Sequence, residues 1–379
     1  ATAPPRCAHA GPTATVAAVI ERFAPAFWQR YGERITVDQR RALQNILQCR
    51  TEALGGHRYD CACGHTHHAY HSCNHRLCPR CGAVDTEAWV AKQLDKLLPV
   101  PYYLVTFTLP SSLRPVMRGN REALNCFMQC SAQALRELLA NPRRADFHRS
   151  GFFGVYQSWT QDMLYHPHVH YVVPAVGLDA EWRLKRTKQR KFLVYAEALA
   201  KRLRTRLTDQ LREQGLICPS RFRQLRRIDW NASVDPAGRG ENAIKYLGQY
   251  VRHSVIRDGR IVAIEDNHVT FRVKNRETGQ YEHRRIEGVE FVRRYLQHVL
   301  PVGFHRIRYY GYLHAQGKAA LQWLQLILEA NFEQRQNKRQ ELPTDIRCPK
   351  CGAPMMPTQS LARAPPHKRN QDFQQRIAA

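Results

Sequence analysis

The sequence predicts an α+β fold: helices packed on a sheet that is at least partly antiparallel, behind a helical and cysteine-rich N-terminal region. Three observations carry this expectation. Apolar residues recur at helical spacing between Val16 and Gln48. Cys, His and Gly crowd the stretch from 49 to 82. Beyond it, short β-branched and aromatic runs alternate with helical patterns.

Taken in order, IERFAPAFWQRYGERITVDQRRALQNILQ reads as two or three packed helices, with Thr36 and Asp38 placed to start the second. After the cysteine-rich stretch, DTEAWVAKQLDKLL is helical. PYYLVTFTLPSSLR is bounded by prolines and suits a pleated surface, so Tyr102 to Thr108 reads as a buried strand. REALNCFMQCSAQALRELLA is a helix whose Cys126 and Cys130, four apart on its apolar side, are core residues. GFFGVYQSW and YHPHVHYVVPAV are two further strands. KFLVYAEALAKRLRTRLTDQLREQG is a long amphipathic helix, FRQLRRIDWNASV a strand and NAIKYLGQYVRHSV a helix. VTFRVKNRETGQYEHRRI alternates across ETGQ as a hairpin, GVEFVRRYLQHVL is a helix and FHRIRYYGYL a strand. Past Asn331 the chain turns polar, carries a lone CPKCG and ends in APPHKRNQDFQQRIAA, which reads as a mobile tail. The divisions expected are 1–48, 49–95, 96–256, 257–335 and the tail 336–379.

Composition narrows the partner. With 58 Lys+Arg against 32 Asp+Glu, a formal net charge of +26 and a pI near 10.0, the chain suits a polyanion, most simply nucleic acid. No window approaches the roughly 20 apolar residues of a membrane helix, and the opening residues lack a signal-peptide pattern, so a cytoplasmic location is expected.

The 12 cysteines do not form an even disulfide framework, because most sit in close pairs within one region, a spacing that points to Zn²⁺. Cys61, Cys63, Cys73, Cys78 and Cys81 lie within twenty-one residues, and CPRCG supplies a knuckle-like turn. The preferred set is Cys61 and Cys63 with Cys78 and Cys81, leaving Cys49, His57, Cys73 and His75 as a second, interleaved set. Cys348 and Cys351 make half a knuckle with no second half nearby.

In YHPHVHYVVP, His166, His168 and His170 alternate and so share one face of a strand, while Val169, Tyr171 and Val173 share the other. Two neutral imidazoles one residue apart can hold a divalent cation with open positions for a phosphate. Such a site needs a nucleophile, and the helix NAIKYLGQYVRHSV supplies one, since Tyr246 and Tyr250, four apart, share a face. Each feature alone has a plain reading as core. The two together point to chemistry.

In these residues the chain resembles the two-tyrosine rolling-circle transposases of bacterial insertion sequences, the family numbered ninety-one, of the HUH nuclease superfamily. CRTEALGGHRYDCACG and SCNHRLCPRCG are similar to that family's zinc region, FTLPSSLR to its first sheet motif and SWTQDMLYHPHVHYVVP to its metal motif. KYLGQYVRHSVI is similar to its tyrosine motif, and EFVRRYLQHVLPVGFHRIRYYGYL to its C-terminal block. The chain departs from the family at Cys61-Ala62-Cys63, where C-x-x-C is usual, and at Leu77, where a His is usual.

The resemblance implies an HUH-type, largely antiparallel sheet with flanking helices, a DNA-recognising zinc domain over 49–95 and a catalytic domain over 96–256. It implies that His168 and His170 bind Mg²⁺ or Mn²⁺, and that Tyr246 and Tyr250 cut one DNA strand to leave a 5′-phosphotyrosine and a free 3′-OH. The third ligand expected is Gln161, with Asp162 and His166 as alternatives. DNA, as single-stranded element ends and target, is the partner, and the bacterial nucleoid the place of action. The basic runs at 183–191, 201–206 and 221–227 would track the DNA backbone. Among these, Arg183, Lys185, Arg186, Lys188, Arg190, Arg223 and Arg226 are singled out. Two rivals share features with this reading: a plasmid replication initiator or relaxase, and a zinc-dependent DNA-binding regulator in which the histidines and tyrosines are core.

Overall fold

The computed structural model describes residues 14–81, 83–187, 193–251, 255–275, 278–330 and 346–378, with the backbone alone at 83–86 and 249–251. Two helices open it, α1 (Val16–Tyr31) and α2 (Val37–Gln48). Thr36 caps α2 through a reciprocal box with Gln39, which satisfies amides the helix leaves unpaired. A short hairpin follows, β1 (Gly56–Asp60) and β2 (Thr66–Tyr70), and then α3 (Ala83–Leu94).

The central layer begins at β3 (Tyr102–Thr108). It continues through α4 (Arg114–Met117), α5 (Arg121–Leu139), β4 (Gly151–Trp159) and β5 (Tyr165–Pro174). A small hairpin, β6 (Val176–Leu178) and β7 (Leu184–Arg186), leads to α6 (Ala196–Glu213), α7 (Pro219–Arg227), β8 (Asn231–Pro236) and α8 (Glu241–Val251). The chain then forms β9 (Ile261–Glu265), β10 (His268–Lys274), β11 (Tyr281–Glu287), α9 (Gly288–Leu296), β12 (Ile307–Gly311) and α10 (Lys318–Ile327). It closes with β13 (Met356–Leu361) and α11 (Pro366–Ala378).

The central sheet runs β12-β4-β5-β3-β8, and every pairing in it is antiparallel. Its two faces bury different cores, because alternate strand residues point to opposite sides. Val169, Tyr171 and Val173 of β5 pack with Val105, Phe107 and the apolar side of α5 and α6. Val172 faces the other way, with Phe153, Val155 and Ala243, Ile244 and Leu247 of α8. Helix α8 is brought onto that face by the turn after β8. There Gly240 takes φ +87°, and a Cβ would meet the Tyr102 ring at 2.8 Å.

A second body, the head, gathers segments distant in sequence. Helices α1, α2, α9 and α11 share one core with the β9–β11 sheet, Leu77 and Cys78. Trp159 and Met163, at the turn between β4 and β5, join that core and tie the head to the central sheet.

Two expectations are corrected. FRQLRR is helix α7, not strand: Pro219 takes a first-turn position, and Phe222 and Leu225, three apart, both face the core. The strand is confined to Asn231–Pro236. The described part of the C-terminal segment is also no mobile tail. Strand β13 pairs with β1, and Phe373 and Ile377 of α11 are buried in the head. Among the described residues, no helix is long and apolar enough to cross a membrane.

Candidate active site and metal centres

Strand β5 is central in the sheet, so its histidines are flanked on both sides. Thr108 and Gln157 lie opposite His168, and Thr106 and Val155 opposite His170. Directly opposed residues of an antiparallel pair share a face. Thr106, Thr108, Gln157, His168 and His170 therefore form one polar patch on the α8 side. His168 and His170 are both buried, with ring centroids 4.8 Å apart and planes at 89°.

Hydrogen bonds orient these rings. His168 Nδ1 is 2.6 Å from the His166 carbonyl oxygen, which can only accept, so Nδ1 carries the proton and Nε2 the lone pair. His170 Nδ1 is 2.9 Å from Thr106 Oγ1. Burial pushes the His170 pKa down to about 4, which keeps the ring neutral near pH 7. His170 Nε2 and Gln157 Oε1 are buried and have no hydrogen-bond partner among the described residues. An orphaned imidazole nitrogen and an orphaned amide oxygen on one face are the donor types a divalent cation accepts.

Tyr246 leans on this patch from α8, its ring 6.1 Å from that of His170 at 81°, and it is 41% exposed. Tyr250 lies in the same helix one turn on, and its side chain is outside the described residues. A cavity of about 590 Å³ opens here between sheet and head. His166, His168, His170, Gln157 and Tyr246 line one side, and Arg257, Arg260, Lys274 and Tyr281 of the head line the other.

Gln161 is exposed in the turn after β4 and lines the same cavity, where its carbonyl oxygen accepts from Arg260. Of the alternatives, Asp162 pairs with Arg284 at 3.3 Å, and His166 Nδ1 accepts from Arg114 at 3.0 Å. Sequence reasoning passed over Gln157, Thr106 and the three head cations. The available signal was Gln157 in the largely apolar GFFGVYQSW, but register with β5 was needed to read it.

Eight of the cysteines form two clusters, in each of which the four sulfurs lie within 4.8 Å of one another. One is Cys49, Cys73, Cys78 and Cys81, and the other Cys61, Cys63, Cys348 and Cys351. The predicted union of Cys61 and Cys63 with Cys78 and Cys81 is therefore corrected, and His57 and His75 belong to neither cluster. The β1–β2 hairpin is the reason. Cys49 and Cys73 flank its base, whereas Cys61 and Cys63 sit at its tip, five paired residues away. That is roughly 17 Å at the strand rise, too far to share one ion. His57 packs edge-on against His71 at 5.2 Å. His75 Nδ1 accepts from the Leu77 amide, and burial lowers its pKa to about 4.

Of the singled-out basic residues, Arg183 and Lys185 both contact the buried Asp179, at 2.8 and 3.4 Å, in the β6–β7 hairpin beyond the far end of β5. Arg226 stacks over Phe222 at 5.4 Å and reaches Asp209 at 3.8 Å. Arg186 and Arg223 are exposed. Lys188 and Arg190 lie outside the described residues.

Comparison with known proteins adds the relatives. Residues 151–320 match a family model described as "Putative transposase", and residues 19–109 one described as "Transposase zinc-binding domain". The chain is 35% identical over 329 residues to "Putative transposase y4qJ" of Sinorhizobium fredii, covering 81% of each chain. It is 29% identical over 307 residues to "Transposase for insertion sequence element IS801" of Pseudomonas savastanoi pv. phaseolicola, covering 75% of this chain and 72% of that one. No solved structure is significantly similar.

Proposed function

Because this chain belongs to the IS91 family of insertion-sequence transposases, with that family's N-terminal zinc-binding domain, we propose that it nicks and rejoins single-stranded DNA at element ends through a covalent 5′-phosphotyrosine. The observation that carries this is the juxtaposition of the Tyr246 ring with the His168–His170 patch and its orphaned His170 Nε2 and Gln157 Oε1. His168, His170 and Gln157 would hold Mg²⁺ or Mn²⁺, with Gln157 in place of Gln161 as third ligand. When bound, the ion offsets charge on the scissile phosphate and favours the phenolate of a tyrosine whose ordinary pKa is about 10.

The protein's own groups do the rest. With Thr106 Oγ1 as the acceptor for Nδ1–H, His170 would keep its Nε2 lone pair free for the ion. The His166 carbonyl does the same for His168. The tyrosine oxygen attacks phosphorus, the bond to O3′ breaks, and the 3′ oxygen leaves as a hydroxyl after taking a proton. In the return step a 3′-OH attacks the phosphotyrosine and releases the phenol. Phosphodiester energy is conserved throughout. With Tyr250 one turn from Tyr246, one tyrosine can hold a cut end while the other makes the next cut.

Arg257, Arg260 and Lys274 bring positive charge to the cavity from the head side, which suits a phosphate backbone passing between the two bodies. Arg186 and Arg223 extend the basic surface, while Arg183 and Lys185 serve first to neutralise Asp179. Cys49, Cys73, Cys78 and Cys81 would hold the zinc ion of the N-terminal domain. A DNA substrate puts the site of action at the bacterial nucleoid.

The test is incubation with labelled single-stranded DNA from element ends plus Mg²⁺ or Mn²⁺, followed by denaturing electrophoresis. A covalent adduct is expected, and it disappears in His168→Ala and His170→Ala. No adduct on any element end, or an adduct that persists without both histidines, overturns the proposal.

A further inference from the structure

Both cysteine pairs of the second cluster lie in tight turns. Around Cys61 and Cys63, the Cys61 amide donates to the His65 carbonyl and the Gly64 amide to the Cys61 carbonyl, with Gly64 at φ +80°. Around Cys348 and Cys351, the Cys348 amide donates to Ala353 and the Gly352 amide to Cys348, with Gly352 at φ +74°. The two turns are separated by nearly the whole chain, yet Cys61 Sγ lies 3.5 Å from Cys351 Sγ and Cys63 Sγ 3.7 Å from Cys348 Sγ. A disulfide would bring sulfurs to ~2.05 Å. A tetrahedral zinc with Zn–S of ~2.3 Å sets neighbouring sulfurs ~3.8 Å apart, close to what is found.

Little else holds this corner together. Its buried apolar core is Cys61, Cys348 and Met355, with Tyr59, Ile346 and Ala353 packed around it. Strand β13 is exposed along nearly its whole length and gains its place by laddering onto β1. With so small a core of its own, the turn around Cys348 and Cys351 is a place where a bound metal ion would add the crosslink that packing does not supply.

We infer that Cys61, Cys63, Cys348 and Cys351 hold a second zinc ion, which clasps the C-terminal segment to the tip of the β1–β2 hairpin. Cys348 and Cys351 lie outside the matched zinc-binding region, residues 19–109, so the site is completed by a part of the chain beyond that domain. The clasp closes the free edge of β1 with β13 and sets the start of α11, which packs on α1 and α2. The C-terminal segment thereby becomes a structural member of the head. The inference does not depend on the nuclease chemistry, because its readout is metal content.

The full chain, purified without chelator, should carry two zinc ions by elemental analysis. The double variant Cys348→Ser/Cys351→Ser should carry one, and limited proteolysis should then cut first between 346 and 365. Cys73→Ser/Cys81→Ser should lose the other ion and leave the clasp loaded. Since a serine pair can destabilise the corner, Cys351→His supplies an independent arm. Cys351 is exposed, so imidazole can replace its thiolate, and this variant should keep two ions and the parent's resistance to protease. Two zinc ions retained in Cys348→Ser/Cys351→Ser overturn the inference. So does one zinc in the parent, or iron in place of the second zinc.

Discussion

Gln157 stands directly opposite His168 on the β4–β5 ladder, and its Oε1 is buried with no hydrogen-bond partner among the described residues, while its Nε2 donates to the Trp159 carbonyl. The amide is thus held through its Nε2 and leaves its oxygen unpaired on the sheet face it shares with His168 and His170. An exposed glutamine at 161 has no comparable constraint.

Gln157→Ala should raise the Mn²⁺ concentration needed for half-maximal adduct formation by at least ~10-fold, whereas Gln161→Ala should shift it little. Gln157→Glu retains an oxygen ligand and should keep adduct formation. Equal effects of the two alanine substitutions would return the third ligand to an open question between them.

Thr106→Val removes the hydroxyl beside His170 Nδ1 at nearly constant volume. Metal affinity should fall about 10-fold, with the thermal midpoint changed far less, and Thr106→Ser should restore binding. A valine variant with the parent's metal titration would show that β5 alone orients the ring.

The tyrosines are separable by chemistry. Tyr246→Phe and Tyr250→Phe each lose one hydroxyl and should each still form adducts, in unequal yield, while the double variant forms none. Mass spectrometry of the trapped peptide identifies the linked residue. An adduct on the double variant would place the nucleophile elsewhere.

His298 gives a pH prediction independent of metal. It is buried, its Nε2–H donates to the Met163 carbonyl at 3.0 Å, and its Nδ1 then accepts from Ser158 Oγ at 3.0 Å. Burial lowers its pKa from 6.5 to about 3. Between those values the unfolded chain binds a proton that the native state does not, so stability is complete above pH 6.5 and is lost as pH falls toward 3. The slope from this one group is at most about 1.4 kcal/mol per pH unit. Urea titrations from pH 7 to 5 should show a shallower decline for His298→Gln than for the parent. Parallel declines would remove His298 as the cause.

The sequence by itself determined most of the local elements, though not α7, and which side chains those elements present together. Thr36 and Gln39 start α2 through their own side chains, and alternation in YHPHVHYVVP puts His168 and His170 on one face before any partner strand is known. Helical spacing likewise puts Tyr246 and Tyr250 one turn apart. These are short-range facts, fixed by backbone geometry within a few residues. Tertiary structure decided whatever depends on register or on the meeting of remote segments. Gln157 faces His168 through inter-strand pairing, which alternation within β4 does not specify. The head cations Arg257, Arg260 and Lys274 reach the cavity because α1, α2, α9 and β9–β11 share a core. Zinc-ligand spacing along the chain favoured neighbours, but the β1–β2 hairpin holds Cys61 and Cys63 a strand length from Cys78 and Cys81 and hands them to Cys348 and Cys351. A metal site selects for distance in space, and here a five-residue hairpin outweighs proximity in sequence.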